Sequence, residues 1–193
     1  GGVWPSMPPD SSQGYVLPFK PGDKLIELGG GDRPLIRPNA DVRPGPATDI
    51  LWDFNKPSPL ADGQFDGVYC QYALEHISWR HVPEFLRDVH RILVPGGLAV
   101  FVTSNLLEQA RKIVDAGELT HDLVTMVFGD LDYPENSHKS SFSPGYARKL
   151  FGEAGFCEIA TRPLPQWSGD MIIEASKSRV QVLRGLPETP SAT

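Results

Sequence analysis

Apolar residues fall into short unbroken runs separated by polar stretches rich in proline and glycine, with a few longer segments of helical spacing between them. Leu25 to Leu28 is such a run and predicts a strand over 24–28 buried on both faces. It ends in Gly29, Gly30 and Gly31, and glycine lets the backbone take positive φ and admit a ligand where a Cβ would block it. Further strands are expected at 39–43, 49–52, 65–70 and 98–103. Val82, Phe85, Leu86, Val89, Ile92 and Leu93 share one face of a helix over 80–93 with Pro83 in its first turn. Two more helices are marked by apolar spacing, one ended by Gly117 and one by Gly129. Residues 130–142 read as a polar loop, and Ser143 with Pro144 opens a last helix. Strands at 156–161 and 171–175 follow.

This order predicts an α/β fold: a Rossmann-like, mostly parallel sheet with an antiparallel edge strand and helices on both faces. One segment departs from it. Pro34 and Pro38 leave little room for a helix after the glycine turn, so the first helix is expected to be shortened or missing. Residues 1–20 are rich in proline but carry Trp4, Met7, Tyr15 and Phe19, too many large apolar groups for a free tail. They are expected to lie on the domain as an arm that could cover a ligand. The main domain is placed at 21–176, with a helical insert at 105–142 as a lid over a substrate, and residues 177–193 form a tail.

Composition narrows the picture. The 193 residues suit one domain, and 40% hydrophobic with 22% charged residues is ordinary for a globular protein. A net charge of −6 without a long basic run argues against a nucleic-acid partner. No apolar run approaches the ~20 residues of a membrane span, and the start carries no signal-like segment, so a cytoplasmic monomer or homodimer away from membranes is expected. Cys70 and Cys157 read as two thiols in strand-like contexts. His121, Asp122, Asp130 and Asp132 have no recognised ligand spacing, so no metal is expected.

Glu27-Leu28-Gly29-Gly30-Gly31 resembles the first motif of the class I S-adenosylmethionine-dependent methyltransferases, acidic-x-Gly-x-Gly. A dinucleotide site would place a third glycine at position 34, where this chain has Pro34. The resemblance continues in order through Asp41, Asp53-Phe54, the segment from Phe65 to His76, and Arg91 to Gly97. It is to the small Methyltransf_11-like, single-domain branch. Arg33 stands where the longer motif has its third glycine.

The resemblance implies S-adenosylmethionine as cofactor, held by Glu27, Gly29, Gly30, Gly31, Asp41, Asp53, Phe54, Cys70 and Gln71. In it Asp41 accepts the ribose hydroxyls, Asp53 and Phe54 take the adenine, and the strand end at Cys70 and Gln71 lines the adenosyl and methionine portions. It implies methyl transfer to a small-molecule acceptor by in-line displacement, with a peptide acceptor or a non-catalytic cofactor-binding module as alternatives. Methyl transfer gains most from alignment and exclusion of water, and a base is needed only where the acceptor must lose a proton. His138, in the polar loop before the last helix, is the candidate base. Tyr72 and Tyr133 are possible pocket walls. With no ordinary helix after the glycine turn, the pocket is expected to depend on Glu27, Asp41 and a covering arm.

Overall fold

A computed structural model describes residues 15–165 and 167–179. Its centre is one seven-stranded sheet in the order β3-β2-β1-β4-β5-β7-β6. The strands are β1 (Leu25–Leu28), β2 (Asn39–Asp41), β3 (Ile50–Leu51), β4 (Phe65–Gln71), β5 (Leu93–Ser104), β6 (Cys157–Leu164) and β7 (Trp167–Ser176). Strands β1 to β5 pair in parallel, whereas β7 runs antiparallel to both β5 and β6. The antiparallel strand thus lies one place in from the edge, and β6 is the edge itself. Leu28 pairs with Ala40 on one side and Cys70 on the other, so the chain switches direction across the sheet at β1. Ligands of open α/β sheets bind beyond the carboxyl ends of the strands at such a switch point.

Side chains alternate between the two faces of the sheet. Ile26, Leu28, Val68, Cys70, Phe101 and Ile173 point into the larger core, under helices α1 (Val82–Ile92) and α4 (Pro144–Glu153). A file of tilted and edge-on rings, Trp52, Phe54, Phe85, Phe101, Phe151 and Phe156, runs through that core. Such pairs contribute about 0.5–1.5 kcal/mol each beyond their burial. Helix α1 begins at Val82 with His81 as a backbone cap, later than the apolar spacing suggested, and Pro83 stands in its first turn.

The second face carries Tyr69, Val100, Val102 and Ile172. Helices were expected here too, but no helical residue is among the buried members of this cluster. Its cover comes from chain that is neither helix nor strand: Tyr15, Leu17 and Ile36. The Tyr15 hydroxyl donates to Glu174 of β7, and the Arg162 guanidinium lies 5.0 Å from the Tyr15 ring centre. Phe19 packs so close over Gly67 that a Cβ there would sit 2.5 Å from its ring. The described part of the arm therefore seals the sheet and does not cover the candidate ligand site; Trp4 and Met7 lie outside the described residues.

As Pro34 and Pro38 suggested, β1 and β2 are joined by turns without a helix. The insert after β5 holds two helices, α2 (Leu106–Ala116) and α3 (His121–Phe128), followed by a loop with one short 3-10 turn at Pro134–Asn136. Among the described residues no helix is long and apolar enough to cross a membrane.

Candidate active site

At the carboxyl end of β1 the glycine turn is held by side chains of β2. Gly30 N–H donates to Asn39 Oδ1 at 3.0 Å, and Gly31 N–H donates to Asp41 Oδ2 at 3.0 Å. Asp41 Oδ1 accepts from Arg43 N–H at 2.9 Å, so each carboxylate oxygen has taken one backbone donor and keeps capacity for another. Gly29 has φ +76, and a Cβ there would lie 2.3 Å from the Ala73 Cβ. Gly31 has φ +59 and open space where its Cβ would be.

This turn forms one wall of an outer cavity of about 250 Å³. Gly29, Gly31 and Asp41 line one side, and Asp53, Phe54 and Asn55 line another. Asp53 accepts from Asn55 N–H at 3.0 Å and pairs with Lys56 at 3.3 Å. Burial pulls its carboxyl upward, but the Asn55 and Lys56 interactions outweigh this and hold it below the ordinary aspartate range. Arg43 lies 4.4 Å from the ring centre of Tyr133, joining the loop after β2 to the loop after α3 at the cavity rim.

A second cavity of about 240 Å³, inner only in lying toward β5 and β7, adjoins the first and shares Tyr72, His76 and Asn136 with it. Tyr72 stands at φ +51, an unusual conformation for a bulky residue, and its hydroxyl donates to Asp170 Oδ2 at 2.9 Å. Glu75 is buried and its Oε2 accepts from Thr103 Oγ1 at 2.9 Å. Burial raises Glu75 to about 7 and Asp170 to about 6, and it raises the Tyr72 hydroxyl as well.

His76 and His138 meet edge to face with ring centres 4.9 Å apart. His76 Nδ1 is 3.1 Å from Ser137 O, and His138 Nδ1 is 3.2 Å from Val127 O. A carbonyl oxygen can only accept, so each Nδ1 carries hydrogen and each neutral ring keeps Nε2 as an acceptor. Burial lowers both imidazoles, and for His76 the neighbouring His138 lowers it further.

Of the residues singled out from sequence, Gly29, Gly31, Asp41, Asp53 and Phe54 line the outer cavity and His138 lines the inner one. Four do not reach either. Gly30 is packed against Pro34, Asn39 and Glu27. Glu27 turns away to accept Ile36 N–H at 2.7 Å, and burial raises its carboxyl to about 7. Cys70 is part of the larger core. Gln71 accepts from the Tyr69 hydroxyl at 2.6 Å. The wall expected of Cys70 and Gln71 is supplied by Tyr72 and Ala73, because β4 ends in the left-handed turn at Tyr72 and the chain folds back over Gly29. Sequence reasoning did not single out Gln109 or Asp170. The positive φ at Tyr72 has no sequence signature, and Asp170 arrives from a strand ninety-eight residues away.

An S-adenosyl cofactor fits the outer cavity on its donor set. An acceptor-only carboxylate at the end of β2 suits a ribose diol, Phe54 offers an apolar surface to a base, and the space beside Gly31 leaves room for close approach.

Comparison with known proteins bears on the family and the fold. A family model described as "Methyltransferase domain" matches residues 14–160. No curated protein matches the chain. Among solved structures it is similar to an S-adenosylmethionine-dependent methyltransferase from Mesorhizobium loti, at 19% identity and a TM-score of 0.57, covering 81% of this chain and 91% of that one. It is similar to a Haloferax volcanii complex between the Trm112 methyltransferase activator and a putative methyltransferase, at 14% identity and 0.58, covering 85% and 86%. A third is the Burkholderia thailandensis 1,6-didemethyltoxoflavin-N1-methyltransferase with bound 1,6-didemethyltoxoflavin and S-adenosylhomocysteine, at 14% identity and 0.53, covering 81% and 71%.

Proposed function

This chain belongs to the class I S-adenosylmethionine-dependent methyltransferases, and we propose that it methylates a small-molecule acceptor held in the inner cavity while the outer cavity holds the cofactor. One observation carries the reading: the two cavities adjoin at the switch point of the sheet and share Tyr72, His76 and Asn136.

Bound S-adenosylmethionine supplies a methyl group on a positively charged sulfur, already activated for displacement. What is left to this chain is to bind, align and exclude water. Asp41 offers the remaining lone pairs of its oxygens to the ribose hydroxyls, and Asp53, Asn55 and Phe54 receive the adenine. Helices α2 and α3 and the loop 130–142 act as the lid, since Gln109, Met126, Asn136 and His138 all come from them. His138 Nε2 takes a proton from an acceptor that must lose one. The bound S-adenosylhomocysteine in the Burkholderia thailandensis neighbour supports the choice of cofactor.

Isothermal titration tests the first half: S-adenosylmethionine and S-adenosylhomocysteine are expected to bind with one site per chain, and no binding of either sinks the proposal. For the second half, His138→Ala is expected to leave cofactor affinity within about twofold while slowing transfer about 10²-fold, the range of general-base catalysis. An unchanged rate removes His138 from that role.

A further inference from the structure

The inner cavity has a chemical character that methyl transfer alone does not require. Among the described residues three carboxylates line it, Glu75, Asp130 and Asp170, and no lysine or arginine does. Each arrives from a different element: Glu75 from the turn after β4, Asp130 from the loop after α3, Asp170 from β7. The two imidazoles that face them are held neutral by burial and offer acceptors. Lys112 of α2 pulls the Asp170 carboxyl downward but does not line the cavity.

A second observation is independent of charge. Gln109 and Ser104 line the same cavity, are only 3% and 4% exposed, and make no side-chain hydrogen bond among the described residues. A buried amide is ordinarily paired, and one left open beside a cavity points to a polar occupant. Tyr72 occupies one oxygen of Asp170 and leaves the other for that occupant.

Resting on the methyltransferase reading above, we propose that the acceptor atom is the nitrogen of a primary or secondary amine, drawn into the inner cavity as its ammonium form by Asp170 and Glu75 and oriented by the open side chains of Gln109 and Ser104. The ammonium, held by the carboxylates, gives one proton to His138 Nε2, which frees the nitrogen lone pair. That pair forms the new nitrogen–carbon bond as the carbon–sulfur bond breaks, and the electrons of the broken bond stay on sulfur. The product is an N-methylammonium ion and a neutral thioether, so charge and atoms balance, and the proton on His138 leaves to solvent. An alcohol of the same shape lacks the positive charge that the carboxylates attract, and its neutral oxygen is a far weaker nucleophile than an amine nitrogen.

The test uses the whole chain saturated with S-adenosylhomocysteine, with acceptor binding read by ligand-observed NMR and methyl transfer read separately with labelled cofactor. The probes are phenethylamine, tyramine and 1,4-diaminobutane, each beside the alcohol of the same skeleton. Amines are expected to bind at least about tenfold tighter than their alcohols, in keeping with a charge-assisted pair. Asp170→Asn is expected to remove that preference while S-adenosylhomocysteine affinity stays within about twofold. Gln109→Leu, on α2 and not on β7, is expected to weaken amine binding in the same direction and keeps the test open if Asp170→Asn does not fold. Equal or tighter binding of the alcohols, no amine binding to a protein that binds S-adenosylhomocysteine, or amine binding unmoved in both variants overturns the proposal. Failure to bind S-adenosylhomocysteine at all overturns the methyltransferase reading and this one with it.

Discussion

The outer and inner cavities are neighbours of nearly equal volume, yet they are built in opposite ways. Most of the outer one comes from a single stretch of chain. Gly29, Gly31, Asp41, Asp53 and Phe54 follow one another at the ends of three adjacent parallel strands, and backbone groups hold much of it together. The inner one is assembled from side chains that meet only after the whole domain has folded. Tyr72 reaches Asp170 of β7, Glu75 reaches Thr103 of β5, and His138 comes down beside His76. A site made of backbone geometry tolerates few substitutions at few positions. One made of converging side chains can change its polarity one residue at a time, which suits a fixed cofactor beside a variable acceptor.

The sharpest way to break the outer cavity alone is Gly29→Ala. Its Cβ would meet the Ala73 Cβ at 2.3 Å, and the residue would have to hold φ +76. We expect S-adenosylhomocysteine binding to fall beyond about 100-fold, with a stability loss of about 1–3 kcal/mol read from chemical denaturation. Adding Ala73→Gly removes the clash and leaves the backbone strain, so the double variant is expected to recover only part of the affinity. Full recovery would mean that sterics, not φ, make the glycine necessary; no loss in the single variant would mean that the turn is not held as described.

Asp41→Ala follows in size. It deletes the acceptor for Gly31 N–H and for Arg43 N–H together with the acceptor offered to the ribose. Cofactor affinity is expected to fall about tenfold or more, the scale of a charge-assisted hydrogen bond. Asp41→Asn keeps one acceptor oxygen and separates the two roles. If it stabilises the turn as well as Asp41 does but still binds weakly, the carboxylate serves the ligand; if melting temperature and affinity fall together, it serves the turn.

The same contrast explains what could be read from the chain. Strands β1, β3 and β4 were legible as short apolar runs, β5 was legible only in its apolar part from Leu98, and the missing first helix was legible in Pro34 and Pro38. The helices expected on the second face were not found among its buried residues, because apolar spacing shows that a strand is buried but not what buries it. There Tyr15, Leu17 and Ile36, all from segments that are neither helix nor strand, do the work of a helix. In the outer cavity the motif positions Gly29, Gly31, Asp41, Asp53 and Phe54 came together, since spacing along parallel strands translates directly into neighbours at a sheet edge. Cys70 and Gln71 did not reach it, because the chain leaves β4 through a positive φ at Tyr72 that no composition rule announces. The partners of the inner cavity lie too far apart in sequence for spacing to connect them.

Glu27 sharpens the comparison from outside, because it belongs to neither cavity. It is 3% exposed, accepts Ile36 N–H, and burial raises its carboxyl to about 7. In the unfolded chain the same group titrates near 4.5. Between those two values the folded protein holds a proton that the unfolded chain has released. Stability is therefore full below about pH 4.5 as far as this group is concerned, and falls as pH rises through 7, by about 1–3 kcal/mol. Glu75, raised to about 7, and Asp170, raised to about 6, add slopes of the same sign. Glu27→Gln is expected to flatten the decline of denaturation free energy between pH 5 and 7.5 by one group's share, while cofactor affinity changes by less than about twofold. A loss of affinity as large as that of Asp41→Ala would place Glu27 in the outer cavity after all. An unchanged pH slope would mean that Glu27 remains ionised in the fold, held by the Ile36 amide against the cost of its burial.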